Sequence, residues 1–470
     1  MGKLIFNKIL ILGIILILMS STLVPLIGSE ILNRLDKDLG NNDICDLLII
    51  APSKFIRQLQ PLVNHKERHG VRTSLVSTDY IYNLIYFGND DAEKVKLFIK
   101  HAYDNSQIKY VLLVGGVKSQ FTKKEDYWVP VRYVYVEDWW SGFDGPANEK
   151  QFLTDLYFAD IYDSEGKYCS WDSDGDGKYG EWNNNKSAED KMDLYPEVYV
   201  GRLPCLNSFE VKIMVKKIIN YEKVDNTGKD WFKKLMLVAG DTYEGGEIEG
   251  ENETQKALDK MPGFTPVKLW YTEGTLTGSK DVIKALNKGC GFLYFAGHGS
   301  PYCWGIYNHA THKFIYCLKN PQIPVLINGK KLPICMIGGC HNSMFNVSLS
   351  HTTWHGRPLL ECFSWRLTRK IGGGTIAAIG NTALGYGAED KFDPSSGGAG
   401  PPLRTNFFAE YGINNTDILG EAYGKAIIQF LDDYPIKWNE NSYNDTSIDA
   451  KSVLNWHLMG DPSLKIGGYP

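Results

Sequence analysis

From residue 47 the chain alternates short apolar runs with stretches of helical spacing. Residues 47–52 and 73–77 read as strands on either side of a helical stretch at 53–69. Residues 92–103 place Val95, Leu97, Phe98 and Ala102 on one apolar side, and 110–116 is a continuous apolar run ending in two glycines. Such alternation predicts a mainly parallel sheet covered by helices on both faces. An irregular region rich in Trp, Tyr, Asp and Gly spans 118–204, and a helix at 208–223 leads into the polar linker 225–230.

The rhythm then begins again. Strands are expected at 235–240 and 267–271, helices at 251–260 and 281–287, and two apolar runs follow, 291–297 and 331–339. A helix at 358–369, a strand at 375–380 and a last helix at 417–431 complete the pattern. Two α/β units in tandem, 45–225 and 226–470, fit this better than one large sheet.

The first residues differ in kind. Lys3 and Lys8 precede an apolar run reaching Ile27, which reads as a signal peptide or an N-terminal membrane anchor over 1–28. Residues 29–44 are polar and short of aromatics, a linker or short pro-segment. The expectation is an exported protein, secreted or held at the extracellular surface, touching membrane only through this segment if it is kept. A formal net charge of −5 argues against a nucleic-acid partner bound through phosphates. Nine cysteines in an exported chain leave at least one thiol without an internal partner.

Each of the two apolar runs in the second unit stops at glycine and then presents one reactive group, His298 in the first and Cys340 in the second. On adjacent parallel strands they would meet at one sheet edge, outside the carboxyl ends where open α/β sheets bind ligands. An imidazole can take the proton of a thiol and return it to a leaving amine, so the pair reads as a cysteine peptidase dyad. Glycine after His298 lets main chain approach closely, and the N–H groups of Gly299 and Cys340 are candidates to bind an oxyanion. A catalytically silent, calcium-dependent surface binding module on the same fold, or a transpeptidase, is the alternative.

The irregular region carries a second motif. Asp172, Asp174 and Asp176 alternate ahead of Gly177, with Glu181 following. Carboxylates so spaced can converge on Ca²⁺. The twelfth position is Asn183, and flanking helices are not evident, so a structural calcium loop of another type than an EF-hand is expected. No organic cofactor is implied.

The segments Glu197-Val-Tyr-Val-Gly-Arg-Leu203, Ala296-Gly-His-Gly-Ser-Pro-Tyr-Cys-Trp-Gly305, Ile337-Gly-Gly-Cys340 and Met459-Gly-Asp-Pro-Ser-Leu464 together resemble the gingipain family of cysteine peptidases, in the caspase-like group. The resemblance implies two tandem caspase-like subdomains with the active site in the second, and protein or peptide substrates. It implies Cys340 as nucleophile, His298 as acid/base and Asp241 as the acid orienting the imidazole. It also implies cleavage after Arg or Lys, with Glu247 or Glu249 as the pocket acid and Trp304 as an apolar wall.

Overall fold

The computed structural model describes residues 44–122, 125–138, 149–242, 248–311, 313–349, 358–387 and 398–470. The segments expected to target or link the chain, up to residue 43, lie outside the described residues.

Ten strands form one sheet. In chain order they are β1 (Leu47–Ala51), β2 (Thr73–Ser77), β3 (Tyr110–Val114), β4 (Tyr199–Leu203), β5 (Lys234–Ala239), β6 (Thr265–Trp270), β7 (Phe292–Ala296), β8 (Ile334–Gly338), β9 (Ala377–Asn381) and β10 (Trp456–Met459). Their spatial order is β2-β1-β3-β4-β10-β9-β8-β7-β5-β6. Every pairing is parallel except β9 with β10.

The strands of each half therefore run in opposite directions, and their carboxyl ends emerge at opposite edges of the sheet. Each half repeats one order, second-first-third-fourth. Two like units are therefore present, and they are hydrogen-bonded into a single sheet. The last strand of the chain makes this join. β10 lies beside β4 of the first half, where Met459 pairs with Arg202, and antiparallel to β9 of the second.

Both faces of the sheet are covered. Among the described residues the helices are α1 (Ser53–Arg68), α2 (Thr78–Leu84), α3 (Asp91–Ser106), α4 (Ser208–Glu222), α5 (Glu249–Asp259), α6 (Ser279–Leu286), α7 (Phe363–Thr368), α8 (Gly400–Gly412), α9 (Leu419–Asp433) and α10 (Asp445–Leu454). Strands β1, β3, β7 and β8 are buried on both sides, which explains why they read as unbroken apolar runs. One core cluster runs through both halves, from Leu47 and Leu112 to Phe292, Phe408 and Leu458. A second, including Val238, Leu293 and Phe363, fills the other face of the second half.

Buried ion pairs pin the join. Arg202 Nε lies 2.6 Å from Asp155 Oδ2, and Lys66 Nζ lies 2.8 Å from Asp461 in the closing motif.

Candidate functional site

β7 and β8 are adjacent, with Ala296 paired to Gly338. His298 and Cys340 each stand two residues past these partners, so the sheet delivers both groups to one edge. The two exits touch through main chain. A Cβ on Gly339 would lie 2.9 Å from the amide nitrogen of Gly299 and 3.0 Å from its Cα, an approach that only glycine permits. Asn342 then ties the segment after the thiol to the segment after the imidazole. Its Nδ2 donates to the carbonyl oxygens of Ser300 (2.9 Å) and Cys303 (3.1 Å).

His298 Nε2 lies 2.6 Å from the Thr242 carbonyl oxygen. A carbonyl can only accept, so Nε2 carries the proton and Nδ1 holds the lone pair of a neutral ring. Burial lowers the pKa of His298, opposed by the Thr242 hydrogen bond and the charge of Asp241. Cys340 is half-buried, and its S–H faces the Gly385 carbonyl at 3.5 Å. Burial pushes the thiol up to about 11, with the charge of Glu149 adding to the rise and that of Arg404 opposing it. Both shifts favour the uncharged forms, a thiol at Cys340 and an imidazole at His298.

The structure redistributes the other expected residues. Asp241, just past β5, is buried, but its Oδ2 pairs with His309 Nδ1 at 2.9 Å. It reaches His298 through charge, while the hydrogen bond that orients the ring comes from Thr242; this corrects the expected geometry. Glu249, the first residue of α5, accepts from the Thr242 N–H through Oε2 at 3.2 Å. It braces the peptide that holds His298. Glu247 lies outside the described residues. Trp304 is fully buried, its ring 4.6 Å from that of Phe295 and its Nε1 donating to the Gly338 carbonyl at 3.2 Å. The expected pocket wall is corrected to a core side chain that buttresses the strand carrying Cys340.

Several groups at this edge carry no signal in the sequence. Glu149 arrives from the first half, with Oε1 2.8 Å from His341 Nε2 and Oε2 accepting from the Leu384 N–H at 2.9 Å. It fixes His341, whose φ of +54° turns the chain sharply after Cys340. His309 and the Thr242 carbonyl likewise carry no such signal. One is a histidine in a hairpin; the other is a main-chain group.

At the acidic loop, ligand oxygens of Asp172, Asp174 and Asp176 lie within 4.8 Å of one another, as do those of Asp174, Glu181 and Glu189. Asp172 accepts from the N–H groups of Gly175 (2.8 Å) and Gly177 (3.2 Å), which winds the loop around its own carboxylates. Lys178 Nζ sits 2.9 Å from Asp176 and 3.1 Å from Glu181. Asp190, donated to by the Ser173 and Glu181 N–H groups, has its carboxyl pushed up to about 6 by burial, with Asp172 and Asp174 adding to the rise.

A parallel sheet between helices, with a thiol and an imidazole past neighbouring strands, is the architecture of the caspase-like α/β proteins. The chain belongs to peptidase family C25, whose family model matches residues 41–467. It is similar to gingipain R2 of Porphyromonas gingivalis strain W83, 24% identical over 349 residues that cover 72% of this chain and 36% of the relative. Lys-gingipain of P. gingivalis strain ATCC 33277 is 24% identical over 451 residues, 91% of this chain and 21% of the relative. The chain thus spans about a third or less of the length of these relatives. Among solved structures, the Arg-specific cysteine proteinase gingipain R (RgpB) matches with a TM-score of 0.59 at 20% identity, over 91% of this chain and 79% of that one. The complex of P. gingivalis RgpB pro- and mature domains matches with 0.58 at 19% identity, over 90% and 79%.

Proposed function

We propose that the chain is an exported cysteine endopeptidase working through Cys340 and His298. The observation that carries this reading is the pairing of Ala296 with Gly338, which brings the two exits together at one edge. In the reaction, His298 Nδ1 takes the Cys340 S–H proton as sulfur bonds to the scissile carbonyl carbon. The N–H groups of Gly299 and Cys340 receive the oxyanion. Collapse breaks the C–N bond, with the imidazolium proton going to the departing amine. Water, deprotonated by the same nitrogen, then hydrolyses the thioester and restores the thiol.

Preference for Arg or Lys at the cleaved bond belongs to the same proposal. It is supported by the names of the similar proteins and by carboxylates in the segment leading into α5, with Glu247 or Glu249 as the pocket acid. A structural Ca²⁺ held by Asp172, Asp174, Asp176 and Glu181 is proposed too. The convergent oxygens and the raised Asp190 carboxyl support it, since a cation would relieve their mutual repulsion. Lys178 would then have to leave both Asp176 and Glu181.

The test compares the wild-type chain with Cys340→Ala on a peptide library containing every residue type at the cleaved position. Cleavage after basic residues that vanishes in the variant is expected. Cleavage that persists in the variant excludes Cys340 as nucleophile, and cleavage with another preference excludes the acidic pocket.

A further inference from the structure

The two halves can be superposed strand by strand through their pairing. Val114 of β3 pairs with Leu203 of β4 as Ala296 of β7 pairs with Gly338 of β8. Two residues further on, Gly116 stands where the second half has His298, and Cys205 where it has Cys340. The base is therefore missing from the first half. A Cβ on Gly116 would lie 2.7 Å from the Pro204 carbonyl oxygen, and Cys205 is fully buried. No acyl transfer can run at this edge.

The edge nevertheless keeps a cleft of about 850 Å³, a volume typical of ligand sites. Its floor is Pro52 and Ser53 past β1 and Thr78 past β2, where the chain leaves β1 for neighbours on both sides, the topological switch point of this half. One wall is the half-buried Trp128, whose Nε1 donates to the Leu206 carbonyl at 2.9 Å. The exposed Lys54 places its Nζ 3.5 Å from the centroid of that ring, and Lys118 Nζ is 5.5 Å from it. Carboxylates of Asp79, Asp91, Glu125 and Asp126 also line it, Asp91 paired with Lys94 at 3.2 Å and Asp126 with Lys118 at 2.9 Å.

We propose that this cleft binds, without cleaving, a lysine or arginine side chain of an extended polypeptide. The indole face and the surrounding carboxylates favour a cation, and Lys54 is the chain's own stand-in for it. The carboxyl ends of the two halves face opposite edges, and β3 is four strand spacings from β8. From strand dimensions the cleft lies roughly 25 Å from Cys340. A polypeptide held here is anchored well away from any bond at the thiol, and its capture does not require Cys340.

The test uses full-length chain carrying Cys340→Ala and a fluorescent acetyl-Gly-Lys-Gly-Lys-Gly-amide, read by anisotropy beside the same peptide with Glu for Lys. Lys54→Met should vacate the ring and tighten binding about fivefold, and Asp126→Lys should weaken it about tenfold. Both changes are at the exposed rim, so neither depends on repacking a core. The Glu peptide should not bind. Unchanged affinity in both variants, or equal binding of the Glu peptide, would overturn the proposal, whereas loss of peptidase activity alone would bear only on the dyad.

Discussion

His309 Nδ1 lies 2.9 Å from Oδ2 of Asp241, so the acid nearest the His298 ring is shared with a second imidazole. The other oxygen of Asp241 is buried with no hydrogen-bond partner. Forming an imidazolium at His298 draws on this one negative charge, which the His309 ring also engages. Two substitutions should then move the acid limb of kcat/KM in opposite directions. Asp241→Asn removes the charge and should shift the limb to lower pH with a fall in kcat of roughly tenfold or more. His309→Gln leaves the charge undivided and should shift it to higher pH, by up to about one unit. Shifts of the same sign would show that Asp241 and His309 do not act through one another.

The raised Cys340 thiol makes a second prediction. With burial holding it near 11, alkylation of the free enzyme by iodoacetamide should climb as pH rises through 9 and on towards 11. A plateau below pH 7 would instead reveal a preformed thiolate–imidazolium pair.

The buried thiols also set alkaline stability. Cys340 is raised to about 11, and Cys290 and Cys362 to about 12, from an ordinary 9, in each case chiefly by burial. In the unfolded chain they lose protons from about pH 9, whereas in the folded chain they keep them. Unfolded chain binds fewer protons in this window, so stability should decline between pH 9 and 11. Urea titrations at pH 8 and pH 10, with reductant present, should give a lower midpoint at the higher pH.

Close main-chain contact at the site predicts an intolerance of methyl groups. Gly339→Ala would set a Cβ against the Gly299 backbone, where neither side can yield without moving His298 or Cys340. A cost of about 1–3 kcal/mol is expected from overpacking, together with activity reduced at least a hundredfold. Near-normal kcat with a native melting temperature would mean that the two exits are not in register.

Calcium should raise the melting temperature if the acidic loop binds it, by an amount that grows with free ion. Asp174→Asn should remove that dependence while leaving the calcium-free melting temperature within a degree or two. An identical response in wild type and variant would assign the effect to some other site.

Much of this architecture is legible in the chain because its buried strands are continuous apolar runs, and the two that matter most end in glycine before a reactive side chain. What escapes does so for physical reasons. α8 begins Gly-Pro-Pro and buries Leu403, Arg404, Phe407 and Phe408, so it lacks the one-sided pattern that marks a surface helix. α10, which follows the helix expected to be last, buries Asp449 and Lys451 and so reads as exposed. β10 is four residues long and finds its place only by pairing with distant partners. Within the site, Thr242 acts through its carbonyl, which any residue would supply, and Glu149 meets His341 only through the tertiary fold. The resemblance implies Trp304 as an apolar pocket wall, yet the antiparallel turn between it and His298 directs its ring inward.

The position of β10 has a consequence for biosynthesis. β4 is made before β5 to β9, yet β10, the neighbour that satisfies its open flank, is made only after all of them. Until then the nascent chain carries an unpaired parallel edge, the kind of surface on which chains stick to one another. Sealing of the first half is thus deferred until the second is made, a delay during which a chaperone has an unfinished sheet to hold.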